Sequence, residues 1–369
     1  MRVLHVEAGR HLYGGAQQVL YLLEGFNNKH RGVESFLACP PDAALAEPAR
    51  RFVAEIIPLP MSDTQVALAG RLAAVIRRCR PDLLHLHSRR GADLWGGLAA
   101  RLTGVPVVLS RRVDNPEPRL WVALKYRLYD RIISISEAIR QVLIAEGVAP
   151  QRVVCVRSAL EAAPFQAPRD RRLFAAAFGI PEEALVIGMI AQLIERKGHR
   201  LLLAALPAVL ARFPGLRVVC FGQGPLQKIL ERETGRRGLT SVVHWAGFRS
   251  DLADFLPGLD LLVHPAWREG LGIALLQAAA AGVPIIASRA GGMPEAVREG
   301  ENGRLIPPGD ATALATAMID LLADEALRRR LGEGGRQLIA REFSVDRMVE
   351  GNLAVYQTVL AQAREGGEP

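Results

Sequence analysis

At 369 residues, half of them apolar, the chain is too long for one ordinary domain and too apolar for disorder, so two packed domains are expected. No apolar run reaches the roughly 18 to 20 uncharged residues of a membrane span, and "MRVLHVEAGR" runs straight into a strand instead of a signal-peptide core, so the chain reads as cytoplasmic. The formal net charge of +8 favours an anionic partner: a nucleotide, an anionic membrane surface or nucleic acid.

The first half alternates β-branched runs with helical patterns: "RVLHV" then "GGAQQVLYLLEGF", "DLLHLHS" then "GADLWGGLAARL", "PVVLSRR", and "RIISIS" then "EAIRQVLIAEG". These runs are apolar on both faces, as strands of a parallel sheet covered by helices on each side must be, and a doubly wound α/β fold follows. Residues 157–170 break the rhythm with two prolines and no period, which places a domain boundary there. The same grammar restarts with "LVIGMIA", "LRVVCFG", "SVVHWAG", "DLLVHP", "PIIAS" and "GRLIP". The last stretch is helical and holds no strand candidate. The expected domains are 1–165 and 166–345, with a helix at 346–369 packing back on the first. Cys39, Cys79, Cys155 and Cys220 are scattered mostly through apolar runs and read as buried thiols, with no disulfide framework or zinc site.

In open α/β sheets a ligand sits beyond the carboxyl ends of the strands, so the residues following each strand are the ones to read. After the first strand, Gly14 and Gly15 open a helix, either as a tight loop or as bare backbone that a phosphate or sugar can approach. His85 and His87 alternate with leucines along one strand; at least one reads as a core histidine, and His87, nearer the strand end, is the better functional candidate. Arg89 with Arg90 and Arg111 with Arg112 follow neighbouring strands as two pairs, which are solvated cations or a device for capturing an acceptor phosphate or carboxylate. In "AQLIERKG", Gln192, Arg196 and Lys197 precede a helix, as surface groups or as cations that reach a bound phosphate. "FGQGP" places Gly222 and Gly224 after a strand, but the third glycine of a dinucleotide fingerprint and its later acid are missing. In "HPAWREGLGIALLQ", Gly270, Leu271 and Gly272 offer backbone amides at a helix start, where the helix dipole favours an anion. Glu269 beside them is either a simple helix-end acid or a carboxylate aimed at sugar hydroxyls.

Taken together, "GG" at 14–15, "KG" at 197–198, "REGLG" at 268–272, "AGVPIIAS" at 281–288 and "GGMPE" at 291–295 resemble the retaining GT-B glycosyltransferases of the family-four, or group 1, type. "GFRSD" at 247–251 and "ENGRLIPPGD" at 301–310 strengthen the likeness. The resemblance implies two Rossmann-like domains facing a central cleft, a nucleoside-diphosphate sugar as co-substrate, and neither metal nor cofactor. Lys197 and Glu269 would be the catalytic pair, the lysine on the pyrophosphate and the glutamate on sugar hydroxyls. Gly14, Gly15, Gln192, Arg196, Gly222, Gly270, Leu271, Gly272 and Gln277 would bind the donor. His87, Arg89, Arg90, Arg111 and Arg112 would bind a glycan, lipid-linked or phosphate-bearing acceptor of cell-envelope polysaccharide or lipopolysaccharide synthesis. The expected place of work is the cytoplasm, peripheral on the inner membrane face, with no nucleic-acid partner.

The chain departs from the family at four points. Gln277 stands where a second glutamate usually grips the ribose, Gln192 where an arginine is usual, Ser158–Ala159 where an "NG" is usual, and Arg111–Arg112 where a histidine is common. Gln277 and Gln192 keep a donor-binding pseudoenzyme, acting as a partner subunit, as the second reading; a nicotinamide oxidoreductase rests on "GQGP" alone.

Overall fold

The computed structural model describes residues 1–12, 14–30, 32–61, 66–88 and 91–365. The chain divides into two compact units, Met1–Ala159 together with Val345–Pro369, and Leu160–Ser344. The division falls six residues before the expected boundary at 165, because Leu160 already hydrogen-bonds the carbonyl of Phe343 in the second unit.

The first unit is a seven-stranded sheet: β1 (Arg2–Val6), β2 (Glu34–Cys39), β3 (Glu55–Pro58), β4 (Leu83–Leu86), β5 (Val107–Arg111), β6 (Arg131–Ser134) and β7 (Val153–Cys155). All its pairings are parallel, in the order β3-β2-β1-β4-β5-β6-β7. The periodicity reading misses three of these strands. β2, "ESFLAC", opens on an exposed acid; β3 is an edge strand ending in proline, which an edge tolerates; β7 has three residues. Helices cover both faces, and the strands are accordingly apolar throughout. The C-terminal helix, Val345–Glu365, packs on the helix Gly14–Lys29, where a Cβ on Gly25 would lie 2.4 Å from Val349. Gln18 clamps the end of this unit: its side-chain amide accepts from the Ala159 N–H and donates to the Ala159 carbonyl, both at 2.7 Å.

The second unit is a six-stranded parallel sheet of β8 (Val186–Ile190), β9 (Arg217–Phe221), β10 (Val243–Gly247), β11 (Leu261–His264), β12 (Ile285–Ser288) and β13 (Gly303–Ile306). Its order, β10-β9-β8-β11-β12-β13, repeats the doubly wound plan of the first unit. Asp310 and Asp324 start the last two helices of this unit, Ala311–Ala323 and Glu325–Glu342, by accepting hydrogen bonds from Ala313 and Leu327. Cys39, Cys79 and Cys220 are buried free thiols and Cys155 is half-buried. Among the described residues no helix is long and apolar enough to cross a membrane.

Candidate functional site

In the second sheet, the connections from β8 and β11 leave in opposite directions, since β9 and β10 lie on one side and β12 and β13 on the other. A doubly wound sheet opens its crevice at such a switch point. The loops there, residues 191–198 and 265–272, are locked by backbone contact. Gly198 has φ +80°, and a Cβ on it would lie 2.1 Å from the Pro265 carbonyl oxygen. Trp267 N–H donates to the Arg196 carbonyl at 2.8 Å. From the loop after β12, Gly292 N–H donates to the Glu269 carbonyl at 2.9 Å, with Gly291 and Gly292 too close to residues 269 and 270 for any side chain.

This scaffold brings Lys197 and Glu269 together across 72 positions of sequence: Lys197 Nζ donates to Glu269 Oε2. His264, the last residue of β11, places Nε2 3.2 Å from the same oxygen, and the Gly270 amide is 3.3 Å from Oε1. Lys197 is 9% exposed, so the pair is shielded from water and strong electrostatics apply. Burial pushes the Glu269 carboxyl up, but the His264 hydrogen bond and the Lys197 ammonium outweigh it and hold the group down at about 2. Burial pushes His264 down, against the opposing pull of Glu269. His199, two residues after Lys197, is held at about 4 by burial, with His264 and Lys197 adding to the effect, and neither of its ring nitrogens has a partner among the described residues.

The helix Ile273–Ala281 starts at this cluster after Gly272, whose φ is +92°. Its half-buried positions are Ile273, Ala274 and Gln277, a stripe running from the helix start, while the other positions are buried. Gln277 therefore stands on the same open stripe as the residues that carry the first free amides. Leu271 is 1% exposed between buried Gly270 and Gly272, so neither its side chain nor its backbone is open to a donor, against the expectation for it. Gln192 and Arg196 are exposed on the neighbouring loop. The assembly has a cation, a carboxylate and a helix N-terminus at one point, which suits a ligand carrying both an anion and hydroxyl donors.

Residues 170–338 match the family model of the glycosyl transferases group 1, and residues 13–161 that of glycosyltransferase family 4. The chain belongs to the group 1 glycosyltransferases. The sulfoquinovosyl transferase of Arabidopsis thaliana is 30% identical over 293 residues, covering 74% of this chain and 56% of that protein. The lipopolysaccharide core biosynthesis glycosyltransferase LpsE of Rhizobium meliloti is 32% identical over 173 residues, covering 47% of this chain and 50% of that protein. The chain thus spans about half the length of these two relatives. Among solved structures, Anabaena HepE in complex with UDP superposes with a TM-score of 0.84 at 19% identity, covering 97% of this chain and 100% of that one. A Rickettsia africae glycosyltransferase gives 0.85 at 17%, covering 97% and 98%. At such identities the likeness is one of fold: both units are the Rossmann-like domains of GT-B glycosyltransferases.

Three expected site residues of this glycosyltransferase have other work. Gly222 donates its amide to the Gly247 carbonyl at 2.7 Å, and a Cβ on it would lie 2.0 Å from the Ala191 carbonyl oxygen; it packs loop on loop, and its amide is not free for a phosphate. Arg111 is 2% exposed, hydrogen-bonds the Asn115 carbonyl and lies 3.3 Å from Glu117, in a buried network with Lys125, Asp93 and Tyr126. His87 is 1% exposed, with Nε2 2.9 Å from His5 Nδ1. Neither a buried, paired arginine nor a ring inside the core reaches an acceptor.

Arg89 and Arg90 lie outside the described residues. Of the expected acceptor cations, Arg112 keeps its candidacy: it is half-buried, its Nε has no partner among the described residues, and its Cδ is 3.6 Å from where a Gly15 Cβ would stand. Gly14 is exposed beside it at the helix start. His264 and His199 were missed in the sequence. Each stands at or within two residues of a strand end or a singled-out lysine, a position that the strand-end rule already marks.

Among the described residues, His5, His85 and His87 bring ring nitrogens within 4.8 Å of one another. His85 spends both nitrogens on Tyr356 and Ser110, and His5 Nδ1 faces His87 Nε2. Only two nitrogens, His5 Nε2 and His87 Nδ1, remain unpartnered, fewer than a structural zinc needs. The trio reads as a neutral polar core.

Proposed function

We propose that this glycosyltransferase moves a sugar, with retention at the transferred carbon and without a metal ion, from a nucleoside diphosphate to a lipid-linked or phosphate-bearing acceptor in cell-envelope glycan synthesis. The observation that carries the reading is the Lys197–Glu269 pair at the switch point, beside the start of the helix Ile273–Ala281. A diphosphate seated on that helix end competes with Glu269 for Lys197. Once the ammonium turns to the phosphate, the carboxylate is released to accept sugar hydroxyls. The acceptor hydroxyl then attacks as the sugar–phosphate bond breaks, and the leaving phosphate takes the acceptor's proton on the same face of the sugar. Lys197 and the helix amides stabilise the charge that grows on the leaving group, each donor contributing about 3 kcal/mol.

A thermal-shift screen with nucleoside diphosphates tests the donor half. A cognate nucleotide at 100 times its dissociation constant stabilises the protein by about 2.7 kcal/mol, and no shift with any of them removes the reading. Chelation with EDTA is expected to leave the transfer rate unchanged. Gln277 and Gln192 favour one competing reading, a donor-binding pseudoenzyme, which would show the shift and no transfer.

The helix Arg119–Lys125 supports an acceptor held at an anionic membrane surface. It exposes Leu120, Trp121 and Leu124, the first by 84%, flanked by exposed Arg119 and Arg127, while its acidic neighbours Asp93 and Glu117 are buried against Lys125. Apolar side chains ringed by cations match an anionic bilayer interface. Sedimentation with anionic vesicles at low salt, and release at high salt, is the expected result; L120S/L124S abolishes it. No binding at low salt removes the membrane part and leaves sugar transfer standing.

A further inference from the structure

The first sheet has a second polar feature at its opposite edge. The segments leading into β5, β6 and β7 enclose a cavity of about 410 Å³, with the last turns of the C-terminal helix as its other wall. Arg101, Arg131 and Arg152 line it, and Asp130 is the one acidic residue among those that do. Asp130 is largely committed: one oxygen accepts from the Val107 amide at 2.7 Å, and the other lies 3.6 Å from Arg101.

Arg131 and Arg152 spend their hydrogen bonds on neutral groups. Arg131 donates to the Asp130 carbonyl at 2.9 Å and to Gln362 Oε1 at 2.7 Å, and Arg152 donates to the Tyr129 carbonyl. Three guanidinium groups thus share one carboxylate. The helix Ala92–Thr103, which ends at this cavity, adds little negative potential, since Gly104 and Val105 amides meet the Ala100 carbonyl and the Thr103 hydroxyl meets that of Ala99. Burial lowers the Arg152 guanidinium, and Arg101 and Arg131 lower it further against the opposing pull of Asp130. An excess of two positive charges in a walled cavity is a cost that a dianion removes.

We propose that this cavity is a phosphate-binding site, with Arg101, Arg131 and Arg152 as its donors, separate from the crevice that handles the nucleotide sugar. It lies at the amino ends of β5, β6 and β7, whereas substrates of doubly wound sheets bind beyond the carboxyl ends. Guanidinium forks match phosphate oxygens in pairs, and the cavity has room for a phosphate with its substituent. A phospholipid headgroup and a soluble phosphate compound share this chemistry.

The test uses the full chain and two probes: calorimetric titration with inorganic phosphate, and sedimentation with phosphatidylcholine vesicles with and without phosphatidic acid. R101A/R131A is compared with R329A/R330A, which removes equal charge from an exposed face of the helix Glu325–Glu342. A loss of about tenfold or more in R101A/R131A alone is expected on one arm. Loss on the phosphate arm identifies a soluble ligand; loss on the vesicle arm alone identifies a headgroup. R101E, which alters one exposed side chain, carries the same expectation where the double variant does not fold. Equal binding by wild type and both of these variants on both arms overturns the proposal. The result is independent of sugar transfer, which is assayed in parallel and is expected to persist in R101A/R131A.

Discussion

Between β1 and β4 the first unit holds three histidines, His5 bonded to His87 and His85 bonded to Ser110 and Tyr356, whereas between β8 and β11 the second unit holds a lysine, a glutamate and a helix end. The winding is the same in both. The two sheets differ in what their switch points demand of water and charge. His5, His85 and His87 are neutral because burial opposes a proton, and their polar atoms serve the fold. Lys197 and Glu269 bond to each other at the start of a helix, and the Glu269 carboxyl is held down at about 2. A switch point is thus a place where chemistry is possible; whether it occurs depends on which side chains the adjoining loops bring there.

The comparison is broken most directly at the charged end. Lys197→Ala and Glu269→Ala are each expected to lower the transfer rate about 10²- to 10³-fold in a steady-state assay, the cost of one electrostatic donor or its orienting partner. A rate within a few-fold of wild type for both would show that the pair is a structural bridge. His87→Ala at the other switch point is expected to leave donor binding intact and to destabilise the protein by about 2–3 kcal/mol in urea unfolding, through a cavity and an unpaired His5 Nδ1. A loss of transfer with no loss of stability would move His87 back among the functional residues.

Acid sharpens the same contrast. His5 is held at about 3 in the folded protein, against about 6.5 unfolded, so below pH 6.5 the unfolded chain takes up a proton that the folded one refuses. Stability therefore falls as pH drops from about 6.5 toward 3, and His5 alone costs about 2 kcal/mol by pH 5. Glu269 acts in the same direction in a lower window: its stabilisation is present above about 4.5 and lost as pH falls toward 2. Urea midpoints at pH 7 and 5 measure the first effect, which His5→Gln is expected to reduce; a midpoint unchanged between the two pH values refutes it. The smallest change is Gln277→Glu, which is expected to tighten the nucleotide by about 1 kcal/mol through a charged bond to the ribose. Weaker binding would show glutamine to be the fitted residue.

Much of this was legible in the sequence because strands buried on both faces leave continuous apolar runs, and glycine-bounded helix starts mark the loops. β2, β3 and β7 left fainter marks, being short, edge-placed or begun on a charged residue. Lys197 and Glu269 were each visible as loop residues, but their pairing was not, since it depends on β8 and β11 being neighbours. Arg111 and His87 misled for a related reason: a strand-end position says which edge a residue occupies, and it does not say whether a buried acid such as Glu117 or a second ring such as His5 has already claimed the side chain.

The contact between Tyr356 and His85 spans 271 positions, and the whole second unit lies within that interval. The first unit is therefore discontinuous: its sheet can pair early, but the hydroxyl that satisfies His85, and the apolar cover from Met348, Val349, Val355 and Val359, arrive only with the closing helix. During synthesis the second unit has all its contacts available before the first has its own. Chain order and folding order are thus inverted for the final packing step, and a ribosome halted before residue 345 leaves the earlier-made unit as the unfinished one.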